Sequence, residues 1–242
     1  MEGWSRFYCG KSVPEDIIEK FIKTIMKLTI LICVHSTNEF YDSLLKRALI
    51  SLSNQTYKNF KTLIILDECW VNTKQIIESS NFGLNLTIVE KDKRNGLWSA
   101  KNLGISLIDT EWVGFLDGDD LYLPTKIERQ LEYLNNNHDI DFIGTHRQHV
   151  DAHDDTKIHN SDFDVNSYIT HSEIENKLST ENILTHGSML IRKKCLNELK
   201  GYNDIRGMED WDLWKRAMSK GYKFYQIPER LYIYRTNTSV IR

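Results

Sequence analysis

The sequence predicts an α/β fold in which helices flank a mainly parallel sheet, with a helical extension at the N-terminus. Continuous apolar, β-branched runs recur along the chain, which is typical of strands that are buried on both faces of a sheet. Segments of helical periodicity separate these runs, which is typical of right-handed βαβ crossovers. The length of 242 residues suits one domain, or one domain with a small appendage.

The predicted extension covers residues 1–27. Ser12 to Glu15 resemble a helix capping box, and apolar residues then recur at helical spacing from Ile17 to Met26. This stripe predicts a helix that packs on the main domain. The alternative is a docking helix for a partner, including a second copy in a homodimer. The mixed charge of its polar face disfavours docking to a membrane surface.

The main domain is predicted to span residues 28–242. Its first strands are predicted at 28–34, 60–66, 84–89 and 112–116, with helices at 44–52, 72–80 and 100–108 between them. A helix is then predicted from Pro124, with later strands at 141–144, 187–191 and 223–227 and a helix at 209–219. Residues 146–182 are polar and weakly periodic, so we expect a long loop there and a tail over 232–242.

The composition excludes several classes of protein. A net charge of −3 without a long basic run argues against a nucleic-acid-binding protein. The first residues lack the apolar core that is typical of a signal peptide, and no run of about 20 apolar residues occurs, so we expect no signal peptide and no transmembrane segment. The 4 cysteines are scattered without a CxxC pair, which favours reduced thiols and a cytoplasmic location.

Carboxylates follow two of the predicted buried strands. Asp117, Asp119 and Asp120 come directly after the fourth strand, with Gly118 among them, and Asp67 follows the second strand. Ligands of parallel α/β sheets bind at the carboxyl ends of the strands. Mg²⁺ and Mn²⁺ are held there by one or two carboxylates while substrate phosphates complete the shell. The position after a buried strand therefore favours a metal and nucleotide site over a solvated acidic turn.

A second acidic pair begins the predicted helix at 209–219. Glu209 and Asp210 stand beside Trp211, and carboxylates near a helix N-terminus are stabilised as anions. An ionised carboxylate can act as a general base towards a hydroxyl group, and an indole can present an apolar face to a sugar. The alternative interpretation is plain helix capping beside buried tryptophans.

Other catalytic motifs are missing. The chain has no P-loop, no G-x-G-x-x-G after a strand and no G-x-S-x-G turn, which argues against a kinase, a dinucleotide dehydrogenase and a serine hydrolase. His146, His149 and His153 lack the His-Glu-x-x-His spacing of a zinc helix, so a zinc cluster is disfavoured.

These segments, taken in order, resemble the family 2 glycosyltransferases, which have the GT-A fold. The resemblance runs from about Leu28 to about Ser239. It rests on seven segments, which are 29–39 with His-Ser-Thr-Asn, 51–57 with Asn-Gln-Thr-Tyr, Leu-Asp-Glu-Cys at 66–69, Asn-Gly and Lys-Asn-x-Gly at 95–105, Leu-Asp-Gly-Asp-Asp at 116–120, Glu-Asp-Trp-Asp-Leu at 209–213, and Tyr-Arg at 234–235. Any one of these motifs is weak, but their shared order is very specific.

The resemblance implies a transferase that moves a sugar, with inversion, from a nucleoside diphosphate, predicted to be UDP, to a carbohydrate or glycoconjugate acceptor. Residues 28–120 would bind the nucleotide and residues 121–242 the acceptor. The implied donor contacts are His35, Ser36, Asn38, Asp67, Lys101, Asp117, Gly118 and Arg235. Asp119 and Asp117 would ligate Mn²⁺ or Mg²⁺. Asp210 would be the general base beside Glu209, and Trp211 and His186 would contact the acceptor or the sugar.

Two other functions compete with this one. A sugar-nucleotide pyrophosphorylase would need a Gly-rich, basic loop after the first strand, and residues 34–37 do not provide one. A nucleotide-sugar-binding module without catalysis would not need both Asp119 and Asp210. Nucleotide binding without sugar transfer or hydrolysis would support this last alternative.

Overall fold

The structure is a computed structural model that describes residues 27–91, 93–154, 157–159 and 164–236. Nearly all of the predicted N-terminal extension, including its helix, lies outside these residues. The strands are β1 Leu28–Val34, β2 Lys61–Asp67, β3 Asn85–Lys91, β4 Trp112–Phe115, β5 Leu121–Tyr122, β6 Phe142–Asp151, β7 Ile158–His159, β8 Leu190–Arg192 and β9 Phe224–Thr236. The helices are α1 Glu39–Ser53, α2 Thr73–Ser79, α3 Leu97–Leu107, α4 Lys126–Asn136, α5 His171–Leu178, α6 Lys193–Glu198 and α7 Glu209–Ser219, with a 3-10 turn at His186–Ser188.

The strands form one curved sheet in the order β3-β2-β1-β4-β8-β6-β9-β5, and β7 pairs with β6 at the side. The pairs among β1, β2, β3 and β4 are parallel. The second part of the sheet is mixed, because β8 runs antiparallel to β4 and β6 while β6 and β9 run parallel. The carboxyl ends of β1, β2 and β4 therefore meet along one edge, and this edge positions the site.

Both faces of the sheet are covered by apolar side chains. Ile30 and Ile32 of β1 belong to one buried cluster with residues of α1, and Leu31 belongs to a second cluster with residues of α3. This alternation explains why β1 is a continuous apolar run rather than an alternating one. In the described part of the chain, no helix is long and apolar enough to cross a membrane.

The prediction of a long loop over residues 146–182 is wrong in two parts of this range. β6 continues to Asp151, and α5 begins after Thr170, whose side chain forms a reciprocal capping box with Glu173. Polar residues in the last part of β6 suggested a loop. One of them, Arg147, faces a cavity instead of bulk solvent. A strand that lines a polar cavity does not need apolar residues on both faces.

The predicted tail over residues 232–242 is also wrong in its first part. β9 continues from Phe224 to Thr236 through Pro228, a residue that cannot donate a hydrogen bond to a strand ladder. The pairing of β9 with β6 passes from Ile227 directly to Arg230, so the register skips the proline. This bulge lets one strand continue where the sequence indicated an end.

Candidate active site

A cavity of about 420 Å³ lies at the carboxyl ends of β1, β2 and β4, facing the N-terminus of α7. Ten of the predicted site residues line it, namely His35, Ser36, Asp67, Lys101, Asp117, Gly118, Asp119, His186, Glu209 and Asp210. These residues come from segments that are up to 175 positions apart in the sequence, from 35 to 210. Asn38, Trp211 and Arg235, which were also predicted, do not line it.

The loop after β1 is held in place through its side chains. His35 Nδ1 lies 2.9 Å from the carbonyl oxygens of both Asp67 and Glu68. Carbonyl oxygens only accept hydrogen bonds, so Nδ1 carries a hydrogen and donates it. The buried Ser36 hydroxyl donates to Asp42 Oδ1 at 2.7 Å. The loop therefore presents the His35 ring to the cavity from a fixed backbone.

Asn38 does not line the cavity, which corrects its predicted role in nucleotide binding. Its Oδ1 accepts hydrogen bonds from the backbone N–H groups of Phe40 and Tyr41, at 3.0 and 3.4 Å. An asparagine at this position satisfies N–H groups that have no partner inside the helix. The side chain of Asn38 is therefore engaged in capping α1.

Asp67 at the end of β2 forms a buried ion pair. Lys91 Nζ lies 2.9 Å from Asp67 Oδ1, and the two side chains are only 10% and 6% exposed. The next residue, Glu68, has a φ of 57°, in the left-handed region that favours glycine. The chain therefore leaves Asp67 through a strained turn at Glu68. Lys91 was not identified from the sequence.

The acidic loop after β4 divides its carboxylates between two roles. Asp117 and Asp119 line the cavity, whereas Asp120 is fully buried. Asp120 accepts hydrogen bonds from the Tyr232 hydroxyl at 2.8 Å and from the Arg235 backbone N–H at 2.7 Å. Burial, followed by the charge of Asp120, raises the pKa of Tyr232 well above its usual range, which keeps this hydroxyl a donor. Asp120 therefore anchors the loop to β9.

Arg235 supports this same loop from behind. It is 1% exposed, and its Nη1 donates to the backbone carbonyl of Asp119 at 2.6 Å. Its predicted contact with the diphosphate is corrected accordingly, because the guanidinium group is enclosed beneath the loop. Arg235 orients the backbone on which Asp119 is displayed.

The donor set of the loop fits a hard divalent cation that is shared with a substrate. Asp117 and Asp119 both reach the cavity, and no cluster of three or more His, Cys, Asp or Glu ligands occurs among the described residues. Cations such as Mg²⁺ are usually bound by one or two carboxylates while phosphate oxygens and water complete the shell. A zinc cluster of His146, His149 and His153, which the sequence disfavours, has no support here either, because His149 Nε2 accepts from Arg147 Nε and the His153 ring stacks on Phe40.

The first turn of α7 brings Glu209 and Asp210 to the opposite side of the cavity. Asp210 Oδ1 accepts a hydrogen bond from the Trp211 backbone N–H at 2.8 Å. Asp210 Oδ2 accepts one from Asn182 Nδ2 at 3.0 Å. Both oxygens of this carboxylate are thus oriented by donors, as a general base in a fixed position requires.

Trp211 does not line the cavity, although the sequence predicted that it contacts a sugar. Its indole Nε1 donates to the Leu178 carbonyl at 2.8 Å, and Lys215 Nζ lies 3.8 Å from the centre of the Trp211 ring. Tryptophan side chains in folded proteins usually find such a partner for the N–H group. The residue fastens α7 to the end of α5.

His186 lies on the floor of the cavity and is 8% exposed. Its Nε2 lies 2.7 Å from the Tyr202 hydroxyl, and its ring centroid lies 4.5 Å from that of Phe115. Burial, followed by the positive charge of Lys101, lowers the pKa of His186 well below its usual range. The imidazole is therefore neutral. Lys101 itself is buried, with Nζ 4.9 Å from the centre of the Tyr202 ring.

Several lining residues were missed by the sequence reasoning. They are Tyr41, Arg94, Arg147, Asn182, Thr185 and Tyr234. Arg147 Nη1 donates to Thr185 Oγ1 at 3.0 Å, and its guanidinium carbon lies 5.4 Å from the centre of the Tyr234 ring. Only Tyr234 belongs to a segment that the sequence had marked. The others lie outside the marked segments, so no sequence motif indicated their approach to the cavity.

Comparison with known proteins agrees with this geometry. A model of the family described as "Glycosyl transferase family 2" matches residues 29–200. The chain belongs to this family. An uncharacterized glycosyltransferase of Methanocaldococcus jannaschii is 29% identical over 195 residues, which are 79% of this chain and 65% of that relative. The O-antigen biosynthesis glycosyltransferase WbnJ of Escherichia coli is 24% identical over 202 residues, covering 82% of this family 2 chain and 74% of WbnJ.

Solved structures confirm the predicted GT-A fold of this family 2 chain. S. aureus TarS 1–349, in complex with UDP-GlcNAc, superposes with a TM-score of 0.72 at 16% identity, over 89% of this chain and 60% of TarS 1–349. The mannosyltransferase PcManGT from Pyrobaculum calidifontis, in complex with GDP-Man and Mn²⁺, has a TM-score of 0.65 at 16% identity, over 90% of this chain and 60% of PcManGT. The chain thus spans less than two thirds of the length of several proteins that it matches.

Proposed function

We propose that this protein is an inverting glycosyltransferase that moves a sugar from a UDP-sugar to a hydroxyl group of a carbohydrate or glycoconjugate acceptor. One observation carries the proposal. Asp67, Asp117 and Asp119 at the strand ends face the same cavity as Asp210 at the N-terminus of α7. A donor nucleotide and a general base can therefore meet there. Membership of glycosyl transferase family 2 supports the same reaction class.

The proposed reaction is a single displacement. The acceptor oxygen forms a bond to the anomeric carbon while the bond from that carbon to the diphosphate oxygen breaks. The proton of the hydroxyl passes to the Asp210 carboxylate, and the nucleoside diphosphate leaves with the electron pair of the broken bond. Attack from the side opposite to the leaving group inverts the anomeric carbon. Asn182 and the Trp211 backbone N–H hold the carboxylate for this step.

Asp117 and Asp119 would hold a divalent cation, Mn²⁺ or Mg²⁺, against the diphosphate. When bound, such a cation supplies positive charge that neutralises the departing diphosphate. Arg235 keeps the Asp119 backbone in place from beneath. The Mn²⁺ present with GDP-Man in PcManGT supports a metal of this kind.

UDP is the proposed nucleotide because Asp67 lies at the end of β2, where an acidic residue can accept hydrogen bonds from a base or a ribose. The UDP-GlcNAc bound in TarS supports this choice. Asp67→Ala should weaken UDP binding, which isothermal titration calorimetry measures directly. This change also breaks the ion pair with Lys91. The control is Lys91→Met, which breaks the same ion pair but keeps the Asp67 carboxylate. Unchanged UDP affinity in Asp67→Ala would count against this contact.

The first experiment is thermal unfolding with and without Mn²⁺, in the presence of UDP, GDP, TDP, CDP and their sugars. A ligand at about 100 times its Kd stabilises the folded state by roughly 2.7 kcal/mol. We expect a Mn²⁺-dependent shift with UDP that disappears in Asp119→Ala and persists in Asp139→Ala, a change of an exposed aspartate. The absence of any shift with every nucleotide would contradict the donor site. Nucleotide binding without turnover of any donor sugar would favour a binding module.

A further inference from the structure

Asn182 is placed to control the geometry of the proposed general base. It lies in the segment between α5 and the 3-10 turn, lines the cavity, and donates through Nδ2 to Asp210 Oδ2 at 3.0 Å. Asp210 Oδ1 is already engaged by the Trp211 backbone N–H at 2.8 Å. The rotation of the carboxylate is therefore set by two donors, one from its own helix and one from a distant segment.

The orientation of the Asn182 amide follows from the charge of its neighbour. An ionised carboxylate only accepts hydrogen bonds. Rotating the amide by half a turn would place Asn182 Oδ1 against Asp210 Oδ2, and two acceptors would then face each other. The NH₂ group is consequently directed at Asp210, and the amide acts as a fixed donor.

The segment that carries Asn182 is itself fixed. The two following residues, Ile183 and Leu184, are buried in one of the two apolar clusters. The indole of Trp211 donates to the Leu178 carbonyl, which ties the start of α7 to the chain just before Asn182. The amide and the carboxylate are thus held on two elements that are fastened to each other.

The other end of the amide indicates that packing alone does not explain Asn182. Its Oδ1 is buried and has no hydrogen-bond partner in the described part of the chain. A buried polar atom without a partner destabilises the folded state, and each such atom in a native structure calls for an explanation. Leucine has nearly the same shape and would fill this position without that cost. The amide is useful only where its NH₂ group meets Asp210.

We propose that Asn182 is a positioning residue, which holds the Asp210 carboxylate in line with the acceptor hydroxyl during sugar transfer. This inference rests on the proposed function. Asn182 exchanges no proton itself. It orients the lone pair of Asp210 that takes the proton. A misplaced base lowers the rate without lowering donor affinity, so loss of Asn182 should lower kcat and leave donor binding unchanged.

The test compares Asn182→Leu with the wild type and with Asn176→Ala, a change of an exposed asparagine on α5. Release of nucleoside diphosphate is measured from UDP-Glc, UDP-Gal, UDP-GlcNAc, UDP-GalNAc and GDP-Man, with p-nitrophenyl glycosides as acceptors, and the fastest donor is kept. In Asn182→Leu, kcat should fall about 10- to 100-fold, as expected for a lost hydrogen bond to a charged group. The donor KM and the Kd for UDP with Mn²⁺ should not increase, the Tm should not decrease, and Asn176→Ala should match the wild type.

The outcomes separate this inference from the proposed function. If Asp210→Asn is inactive while Asn182→Leu keeps a kcat within twofold of the wild type, the positioning role is overturned and the base assignment stands. A loss of kcat that is accompanied by an equal loss of Tm or of UDP affinity also overturns it, because a structural role would produce that result. If Asp210→Asn is as active as the wild type, or if the wild type releases no diphosphate from any donor, the proposed function itself fails.

Discussion

The two halves of the domain build their parts of the cavity in different ways. In the half that ends at residue 120, cavity-lining side chains lie where parallel strands end, as Asp67 and Asp119 do. In the other half, they come from the middle of a strand, from a loop and from a helix N-terminus, as Arg147, Asn182 and Asp210 do. In the first half, the general geometry of parallel α/β sheets brings the lining side chains to one edge. In the second half, their positions depend on particular long-range contacts.

The first prediction separates the two halves by function, and it has the largest expected effect. Asp210→Asn removes the proposed base and should lower kcat by about 10²- to 10⁴-fold, the usual contribution of general base catalysis. Its affinity for UDP with Mn²⁺ should equal that of the wild type in isothermal titration calorimetry. Asp119→Asn should instead lose the Mn²⁺-dependent part of UDP binding. The assignment of donor binding to the first half and of the base to the second half is wrong if Asp210→Asn weakens UDP binding as much as Asp119→Asn does.

The same contrast explains which parts were predictable from the sequence. The strands β1, β2 and β4 are buried on both faces, so a local apolar run is sufficient to identify each of them, and the ends of β2 and β4 identify Asp67, Asp117 and Asp119. The Glu209 and Asp210 pair was identifiable because its motif is contiguous. These parts depend on residues that are neighbours in the chain.

The rest depends on residues that are far apart in the chain. β6 and β9 pair over ten positions, from Phe142 with Phe224 to Asp151 with Thr236, and the bulge at Pro228 is visible only once that pairing is known. Asn38, Trp211 and Arg235 match family motifs in the sequence. In the structure, however, Asn38 caps α1, the Trp211 indole donates to the end of α5, and the buried Arg235 donates to the Asp119 carbonyl. A motif gives the residue type and does not give the direction of the side chain.

The second prediction tests how tightly each half is packed, through one glycine from each. A Cβ at Gly187 would lie 1.9 Å from the Tyr232 hydroxyl oxygen, and the same hydroxyl donates to Asp120. Gly187→Ala should therefore lower the free energy of unfolding by about 3 kcal/mol, the upper part of the range for overpacking. A Cβ at Gly118 would only make contacts of 3.6 and 3.8 Å with apolar side chains.

Gly118→Ala is thus the matched control, and its stability in urea unfolding should stay within about 0.5 kcal/mol of the wild type. Its affinity for UDP should nevertheless fall if the diphosphate approaches the backbone at this position. Equal stability losses in Gly187→Ala and Gly118→Ala would show that the contact with Tyr232 is not the cause.

The third prediction concerns pH and the neutral imidazole at the floor of the cavity. Burial lowers the pKa of His186 well below 6.5, and Lys101 lowers it further. As pH falls below about 6.5, the unfolded chain binds a proton at this position while the folded chain does not. The free energy of unfolding should then decrease by up to about 1.4 kcal/mol per pH unit from this group.

Urea unfolding between pH 7.5 and pH 5.5 measures this slope. Burial also lowers the pKa of His146 and of His171, so the wild-type slope includes them. His186→Gln removes only the contribution of the His186 imidazole to the pH dependence of the free energy of unfolding. The variant should therefore give a shallower slope, whatever its stability at pH 7.5. Identical slopes in the two proteins would mean that His186 becomes protonated without unfolding.

The fourth prediction has the smallest expected effect and concerns the residue whose motif was misleading. Asn38→Ala removes the acceptor for the N–H groups of Phe40 and Tyr41 at the start of α1. Loss of such a cap lowers the free energy of unfolding by about 1 kcal/mol. UDP affinity should not change, because the side chain does not line the cavity. Asn38→Asp restores an acceptor and should recover the stability, whereas a loss of UDP binding in Asn38→Ala with unchanged stability would return this residue to the donor site.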